Sequence, residues 1–208
     1  MKICEVKQGS PEWHQLRLGK PTASVFKEIV TPVNGDLSKS SIKLAHKLLA
    51  ERFLGYPLDS FTSAAMEAGR EGEPKARAWY EFRHDCEVRE VGICFTDDGR
   101  IGASPDGIAG RGLLEIKCPN PDTHIGYMLN EAGIGAEYRT QIQGQLWICE
   151  AEWLESLSYC PPFPPRLVRI ERDEDFITSM SFAVRQFADQ LDEMEAKLRG
   201  LGCLQMVQ

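Results

Sequence analysis

Apolar side chains recur every three or four residues in the last part of the chain, and this spacing predicts one long amphipathic helix. The stripe consists of Phe176, Met180, Val184, Phe187, Leu191, Met194 and Leu198. Shorter apolar patterns with helix-starting residues beside them predict further helical segments. They are the start of a helix or turn over Trp13–Leu18, a capped helix from Thr22-Ala23-Ser24 to Val30, and helices over Ser41–Phe53, Pro74–Arg83 and Glu137–Cys149.

Short apolar runs between these segments predict strands. They cover Val88–Phe95, Ile101–Ser104, Leu113–Cys118, Leu154–Tyr159 and Leu167–Ile170. Because no linker, repeat or low-complexity tract interrupts the sequence, we predict a single domain over residues 1–208. The predicted fold class is α/β (α+β mixed), with a central mixed β-sheet flanked by helices.

The strand predicted over Leu113–Cys118 carries two charged residues among apolar ones. Glu115 and Lys117 are two positions apart, so both side chains project from the same face of the strand. A hairpin through Asp106-Gly107 can bring a second carboxylate beside them. Two carboxylates and a lysine on one face form a site for a hard divalent cation, and metal-dependent cleavage of a phosphodiester needs this arrangement.

Taken alone, this pattern is a weak signal, because Asp-Gly is a common hairpin sequence and Glu-x-Lys often lies on a solvated strand face. Charges inside an apolar strand are unfavourable unless they are paired or used, which favours a functional site. The segment from Gly69 to Glu73 offers another acid, whereas Glu71 is expected to face solvent. Gln141 and Gln145 share one face of the predicted helix, and Gln143 does not.

The composition is that of a soluble globular protein, since 42% of the 208 residues are hydrophobic and 26% are charged. A net charge of −7 argues against non-specific coating of nucleic acid, but it allows an enzyme that binds nucleic acid in a local channel. Seven cysteines without a C-x-x-C pair predict reduced thiols. With no run of 18 apolar residues and no signal peptide, we expect a cytoplasmic protein without a membrane partner.

Several motifs occur in order along most of the chain. They are Val6-x-Gln8-Gly9, Trp13-His14-x-Leu16-Arg17-Leu18-Gly19, Thr22-Ala23-Ser24, Gly69 to Glu73, Ser104-Pro105-Asp106-Gly107, Leu114-Glu115-x-Lys117-Cys118-Pro119, Gln141-x-Gln143 and Ile170 to Glu174. Together they resemble the lambda exonuclease or YqaJ-type viral recombinase family of the PD-(D/E)xK nuclease superfamily. One departure is Pro74 directly after Glu73, which leaves open whether Glu73 lies in a helix or just before it.

The resemblance implies a restriction-endonuclease-like core and a Mg²⁺-dependent exonuclease that digests double-stranded DNA from 5′ to 3′. Such an enzyme serves a phage or prophage recombination system in the cytoplasm of a bacterial host. It releases mononucleotides and leaves a 3′ single strand for a single-strand annealing protein. The family assembles as a homotrimeric ring around the DNA.

Roles for individual residues also follow from the resemblance. The implied catalytic residues are Glu73, Asp106, Glu115, Lys117 and Gln141. Asp106, Glu115 and the backbone carbonyl of Ile116 would ligate Mg²⁺, for which Mn²⁺ can substitute. Glu73 would support a second ion, directly or through water. Lys117 would assist the attacking water, and Gln141 would orient the water or the scissile group.

Three further residues match positions that hold a 5′-terminal phosphate in this family. They are Arg17, Ser24 and Ser104, whose guanidinium and hydroxyl groups can donate hydrogen bonds to an anion. Arg17 could instead be a surface ion-pair residue, and Ser24 could be only a helix cap.

Two other functional classes compete with this interpretation. One is a metal-dependent DNA endonuclease on the same core, and the other is a non-catalytic module that binds DNA ends. The intact set of Asp106, Glu115 and Lys117 argues against the non-catalytic module. The products formed from linear and circular DNA would distinguish an exonuclease from an endonuclease.

Overall fold

Seven α-helices occur in the part of the chain that the structure, a computed structural model, describes, namely residues 1–58 and 64–203. They are α1 (Pro11–Arg17), α2 (Phe26–Ile29), α3 (Ser41–Leu54), α4 (Ala64–His84), α5 (Pro121–Leu129), α6 (Gly135–Ile148) and α7 (Glu174–Gly200). One turn of 3-10 helix, Ala23–Val25, precedes α2. Within the described ranges, no helix combines the length and the apolar content that crossing a bilayer requires.

Seven strands in the described residues form two sheets. They are β1 (Lys2–Cys4), β2 (Ile93–Phe95), β3 (Gly102–Ala103), β4 (Gly107–Ala109), β5 (Gly112–Lys117), β6 (Trp153–Ser158) and β7 (Arg166–Glu171). The first sheet has the order β1-β2-β3 and is antiparallel. The second has the order β4-β5-β6-β7, in which β5 and β6 are parallel and the outer pairs are antiparallel. The mixed α/β fold class is therefore confirmed, with the strands divided between two sheets.

The two faces of β5 contact different helices. Leu114 and Ile116 pack into the smaller apolar cluster, which includes Ala76 and Tyr80 of α4. Leu113 packs into the larger cluster, which includes the apolar residues of α6 and α7. Because successive residues of a strand alternate between faces, Glu115 shares the side of Leu113 and points toward α6.

The predicted stripe on the last helix is confirmed. Five of its residues are buried, namely Phe176, Met180, Val184, Phe187 and Leu191, and Met194 and Leu198 pack against the same cluster. The helix begins after Asp173, whose side chain accepts a 3.0 Å hydrogen bond from the backbone N–H of Phe176.

Several predicted boundaries are wrong. Helix α4 begins at Ala64 and runs through Pro74, although a proline is more common in the first turn of a helix. Glu73 therefore lies inside a helix. The hairpin that joins β4 to β5 turns at residues 110 and 111, so that Asp106 precedes β4 and does not form the turn. The strand predicted over Val88–Phe95 is reduced to β2, and neither β1 nor α5 was predicted.

Candidate active site

The loop between β3 and β4 carries Asp106, and the side chain of Gln8 holds this loop in place. Gln8 Nε2 donates a 2.8 Å hydrogen bond to the Pro105 carbonyl and a 2.9 Å hydrogen bond to the Val91 carbonyl. The first bond connects the segment that follows β1 to the residue directly before Asp106, and the second connects it to the segment before β2. The position of the acid therefore depends on contacts between distant parts of the sequence.

Asp106 reaches the edge of β5 where the pairing with β4 has ended. The last paired residues are Gly107 and Leu114, and Asp106 Oδ2 accepts a 2.6 Å hydrogen bond from the backbone N–H of Ile116. The N–H and C=O of one strand residue point to the same edge. The Ile116 carbonyl therefore faces the side of β5 on which Asp106 lies.

Glu115 is 1% exposed, and three side chains donate hydrogen bonds to its carboxylate. Lys117 Nζ lies 2.6 Å from Oε1, and Gln141 Nε2 lies 2.7 Å from the same oxygen. Gln145 Nε2 lies 2.7 Å from the other oxygen, Oε2. Lys117 Nζ also lies 5.0 Å from the centroid of the Tyr138 ring. The predicted proximity of Lys117 and Gln141 to Glu115 is thus present in the structure.

The charges of this cluster perturb one another. Burial, together with the negative charges of Glu115 and Glu73, raises the pKa of Asp106 well above its usual value, against the opposing effect of the Lys117 ammonium. Burial alone would lower the pKa of Lys117, but the Glu115 and Asp106 carboxylates raise it above its usual value. The cluster therefore holds more negative charge than its own lysine compensates.

Glu73 approaches the cluster because α4 packs closely against the end of β5. A Cβ atom at Gly72 would lie 2.8 Å from the Cys118 Sγ, closer than Cβ atoms normally approach, and would also make a tight 3.0 Å contact with the Cys118 Cβ. A glycine at position 72 thus permits the contact that places the next residue, Glu73, near the acids. The neighbouring Glu71 is exposed, as predicted.

A cleft of about 330 Å³ lies beside Asp106 and Glu73. Lys7 and Arg77 also line it. Arg77 Nη2 donates a 3.2 Å hydrogen bond to the Asp106 carbonyl, and its Nη1 forms a 2.8 Å ion pair with Glu90. The acids therefore border an open space that a polar ligand can enter.

The donor set fits a hard divalent cation. Asp106 and Glu115 supply carboxylate oxygens, and Ile116 supplies a carbonyl oxygen on the same side of β5; Mg²⁺ prefers oxygen ligands of this kind. In the ranges that the structure describes, no group of three or more His, Cys, Asp or Glu side chains has the arrangement of a metal site. A cation at this position would therefore complete its coordination with backbone oxygens and water, as Mg²⁺ commonly does.

A second polar cluster surrounds Arg17 at the end of α1. Arg17 Nη1 donates to Ser104 Oγ at 3.1 Å, and Nη2 donates to Thr22 Oγ1 at 3.1 Å and to Ser24 Oγ at 3.2 Å. The guanidinium carbon lies 4.2 Å from the centroid of the Trp13 ring. Trp13 Nε1 in turn donates to Ser104 Oγ at 3.2 Å. We call these five residues the Arg17 pocket.

The guanidinium of Arg17 is surrounded by hydroxyl groups and an aromatic ring, and no carboxylate of residues 1–58 or 64–203 pairs with it. Burial lowers its pKa to about 10, so the group is charged at neutral pH. The interpretation of Arg17 as a surface ion-pair residue is therefore wrong. Ser24 lies inside the 3-10 turn and caps no helix, so its role as only a cap is also wrong.

Sequence reasoning assigned no role to Thr22, Trp13 or Gln145, although each contacts a predicted site residue. The two hydroxyl residues in Thr22-Ala23-Ser24 are a sequence pattern that can indicate a cluster of hydrogen-bond donors and acceptors. The shared face of Gln141 and Gln145 was a usable signal for Gln145. For Trp13, only its place in the motif indicated a role at the site.

Gln143 lies apart from both clusters. Its Nε2 donates a 3.0 Å hydrogen bond to the Glu171 carbonyl, and its Oε1 accepts a 2.9 Å hydrogen bond from the Asp173 backbone N–H. It therefore ties α6 to the segment between β7 and α7. The prediction that Gln143 does not share the face of Gln141 and Gln145 is confirmed.

Comparison with known proteins identifies relatives that share this fold. Residues 12–152 match the model of the YqaJ-like viral recombinase domain. The crystal structure of the alkaline exonuclease LHK-Exo from Laribacter hongkongensis is 33% identical, with a TM-score of 0.80, over 93% of this chain and 98% of that chain. The same enzyme in complex with dAMP gives a TM-score of 0.81 over the same shares and at the same identity.

A phage-related exonuclease from Haemophilus somnus 129PT is 15% identical, with a TM-score of 0.71, over 86% of this chain and 96% of that chain. At this identity the likeness concerns the fold alone. A search among curated proteins gives no match. The structural matches agree with the mixed α/β class predicted from the sequence.

Proposed function

Because this chain belongs to the YqaJ-like viral recombinase family of exonucleases, we propose that it is a Mg²⁺-dependent enzyme that digests one strand of duplex DNA from its 5′ end. The main observation behind this proposal is that two sites of opposite charge lie close together in the sequence. Ser104 belongs to the Arg17 pocket and Asp106 belongs to the acidic cluster, with a single residue between them. A phosphate bound beside Ser104 would lie close to the acids.

Asp106, Glu115 and the Ile116 carbonyl are the residues that would hold Mg²⁺, and Glu73 would support a second ion directly or through water. A bound ion would lower the pKa of water and compensate the charge of the phosphoryl group that is attacked. Mn²⁺ can replace Mg²⁺ at such an oxygen site. The raised pKa of Asp106 supports this assignment, since a crowded pair of acids is stabilised when a cation binds between them.

Lys117 and Gln141 act on the reacting groups from the α6 side. The side chain of Lys117 is 29% exposed, so it is oriented by Glu115 and is still within reach of solvent. We assign it to the attacking water, where it stabilises hydroxide or transfers a proton. Gln141 is partly exposed beside it and orients the water or the scissile phosphate.

The Arg17 pocket binds the 5′-terminal phosphate. Arg17 supplies a planar fork of donors, and Ser24 and Ser104 supply hydroxyl groups at its two ends. A terminal phosphate carries more negative charge than an internal one, so a charged donor can distinguish it. LHK-Exo has been crystallised in complex with dAMP, and a mononucleotide is the product we expect here.

Digestion of matched linear and closed circular duplex DNA tests the proposal. We expect Mg²⁺-dependent release of mononucleotides from the linear substrate and no change in the circular one. Nicking or linearisation of the circle would instead identify an endonuclease. Binding of DNA ends with no product in Mg²⁺ or Mn²⁺ would identify a non-catalytic module.

We further propose that the enzyme works as a homotrimeric ring in the cytoplasm of a bacterial host. A subunit of 23.4 kDa can hardly enclose duplex DNA, and a head-to-tail interface that closes on itself gives such a ring. Sedimentation equilibrium should give about three times the subunit mass. A monomer at working concentration would contradict the ring and leave the chemistry unaffected.

The 3′ single strand that digestion leaves is the expected substrate of a single-strand annealing protein in a phage or prophage recombination system. Co-sedimentation of the exonuclease with a single-strand annealing protein of the same phage or prophage would test this partnership. Independent sedimentation of the two proteins would count against it.

A further inference from the structure

Gln145 is a buried amide that contacts the carboxylate of Glu115 from α6. It is 1% exposed, and its Nε2 donates a 2.7 Å hydrogen bond to Glu115 Oε2. Lys117 and Gln141 both donate to the other oxygen, Oε1, at 2.6 and 2.7 Å. The two oxygens of this carboxylate are therefore held by different partners.

The number of acceptor positions on each oxygen decides which one can bind a further group. A carboxylate oxygen offers about two lone pairs. Among the described residues, Oε1 uses both for Lys117 and Gln141, whereas Oε2 uses one for Gln145 and keeps one. Glu115 can thus accept a cation at Oε2 without the loss of any of these three hydrogen bonds.

Burial of the Gln145 amide also lowers the stability of the fold. Its own oxygen, Oε1, is buried and has no hydrogen-bond partner in the described part of the chain. A buried acceptor without a donor destabilises the fold, and an unbranched apolar side chain of similar length would avoid that cost. Packing therefore does not explain a glutamine here, whereas its hydrogen bond to Glu115 does.

We propose that Gln145 is a positioning residue that orients Glu115 so that Oε2 faces the divalent cation. This inference rests on the proposed metal-dependent function. A side chain that forms a hydrogen bond with a metal ligand, and does not itself bind the metal, fixes the orientation of that ligand. Loss of such a side chain commonly weakens metal binding by about 10-fold to 100-fold. Gln141 differs, because it donates to the oxygen that Lys117 already occupies and is itself partly exposed.

The test compares Gln145→Met with Gln143→Met by calorimetric titration of metal-free protein with Mn²⁺. Both glutamines lie buried on α6, but the amide of Gln143 contacts the segment before α7 and not Glu115. We expect Gln145→Met to weaken Mn²⁺ binding by about 10-fold or more, and Gln143→Met to leave it unchanged while lowering the unfolding temperature. In DNA digestion, saturating Mn²⁺ should restore most of the rate of Gln145→Met, because the defect lies in metal affinity.

Equal Mn²⁺ affinity of Gln145→Met and the wild type would overturn the inference and leave the proposed function standing. Absence of Mn²⁺ binding by the wild type would overturn both. If Gln145→Met does not fold, Gln145→Asn provides the same test, since its amide is one methylene too short to reach Glu115. Normal affinity in a folded Gln145→Asn would count against the inference.

Discussion

The acidic cluster and the Arg17 pocket differ in the sign of the charge that each leaves uncompensated. Around Asp106 and Glu115, two carboxylates lie near the ammonium of Lys117, and the negative charge of Glu73 adds to theirs. Around Arg17, a guanidinium contacts three hydroxyl groups and an aromatic ring. Each cluster therefore fits a ligand of opposite charge, a divalent cation in one and a phosphate in the other.

Because the two clusters are close in sequence, ligands of opposite charge can be held near one another. Ser104 and Asp106 belong to one loop, and Gln8 fixes that loop by a hydrogen bond to the Pro105 carbonyl. A terminal phosphate in the Arg17 pocket would be held at a constant distance from the cations. Fixed positioning of this kind supplies a large part of catalysis in phosphoryl transfer.

The largest effect is expected from loss of either central acid. Asp106→Ala or Glu115→Ala should lower Mg²⁺-dependent digestion by at least about a thousandfold, which corresponds to about 4 kcal/mol of transition-state stabilisation. The reason is that, in the proposed mechanism, each acid supplies an oxygen ligand to the cation. Release of acid-soluble nucleotides from labelled linear duplex measures the rate.

Folding of the two alanine variants is the control for this prediction. Removal of one acid also removes repulsion in the metal-free protein, so the unfolding temperature of Asp106→Ala should not fall by more than a few degrees. A well-folded variant of either kind with near-normal digestion would show that the acidic cluster is not the metal site.

Loss of Lys117 should separate turnover from metal binding. Lys117→Ala is expected to lower the rate by between about 100-fold and 10,000-fold, the usual range for loss of a general acid or base. Mn²⁺ affinity should persist, because an ammonium repels the ion and does not ligate it. Calorimetry and single-turnover digestion measure the two quantities, and a loss of Mn²⁺ affinity would contradict the assigned role.

Loss of Arg17 should change substrate preference and have little effect on the chemistry itself. Wild-type protein should digest a duplex with a 5′-phosphate faster than one with a 5′-hydroxyl. Arg17→Ala should reduce that ratio by about 10-fold to 100-fold, the value of one or two charge-assisted hydrogen bonds. Parallel initial rates on the two substrates measure the ratio.

Lys20→Ala is the matched control, since Lys20 lines the same cleft as Arg17 and Thr22 but donates to the Leu16 carbonyl and not to the hydroxyl groups of the pocket. It should leave the ratio intact. If Arg17→Ala slowed both substrates by one common factor, Arg17 would be a general DNA contact or a structural residue.

The smallest effects should be in stability. In separate titrations, inorganic phosphate at about ten times its dissociation constant should raise the unfolding temperature of the wild type and Asp106→Ala by about 2–5 °C, and should not affect Arg17→Ala. Mg²⁺ should raise the unfolding temperature of the wild type and of Arg17→Ala, and it should not affect that of Asp106→Ala. A single substitution that abolished both responses would show that the clusters are not independent sites.

The long last helix and the acidic strand show what could be predicted from sequence. The apolar stripe of α7 identified its buried face, because a period near 3.6 that is sustained over many residues is specific to one face of a helix. Glu115 and Lys117 were placed together correctly by strand alternation. Asp106 was correctly placed beside them, although the hairpin expected at Asp106-Gly107 lies at residues 110 and 111.

Other features depend on tertiary contacts that no local pattern reveals. Strand β1 has three residues, too few to show a period, and it forms by pairing with β2, which lies far along the chain at Ile93–Phe95. Helix α4 continues through Pro74 against the local preference of proline for a first turn. The Ser104 hydroxyl joins those of Thr22 and Ser24 around Arg17 because the loop before β4 returns to the end of α1.

Digestion of a linear duplex that carries a 5′-phosphate on only one strand tests the central claim most directly. The four strand ends carry distinct labels. In Mg²⁺, release should begin at the 5′-phosphorylated end, and the other strand should persist. EDTA should stop the reaction. Arg17→Ala should remove the bias between the strands, while Asp106→Ala should remove digestion of both. Release that begins at a 3′ end, or equal loss of both strands by the wild type, would contradict the pairing of a phosphate pocket with a cation site.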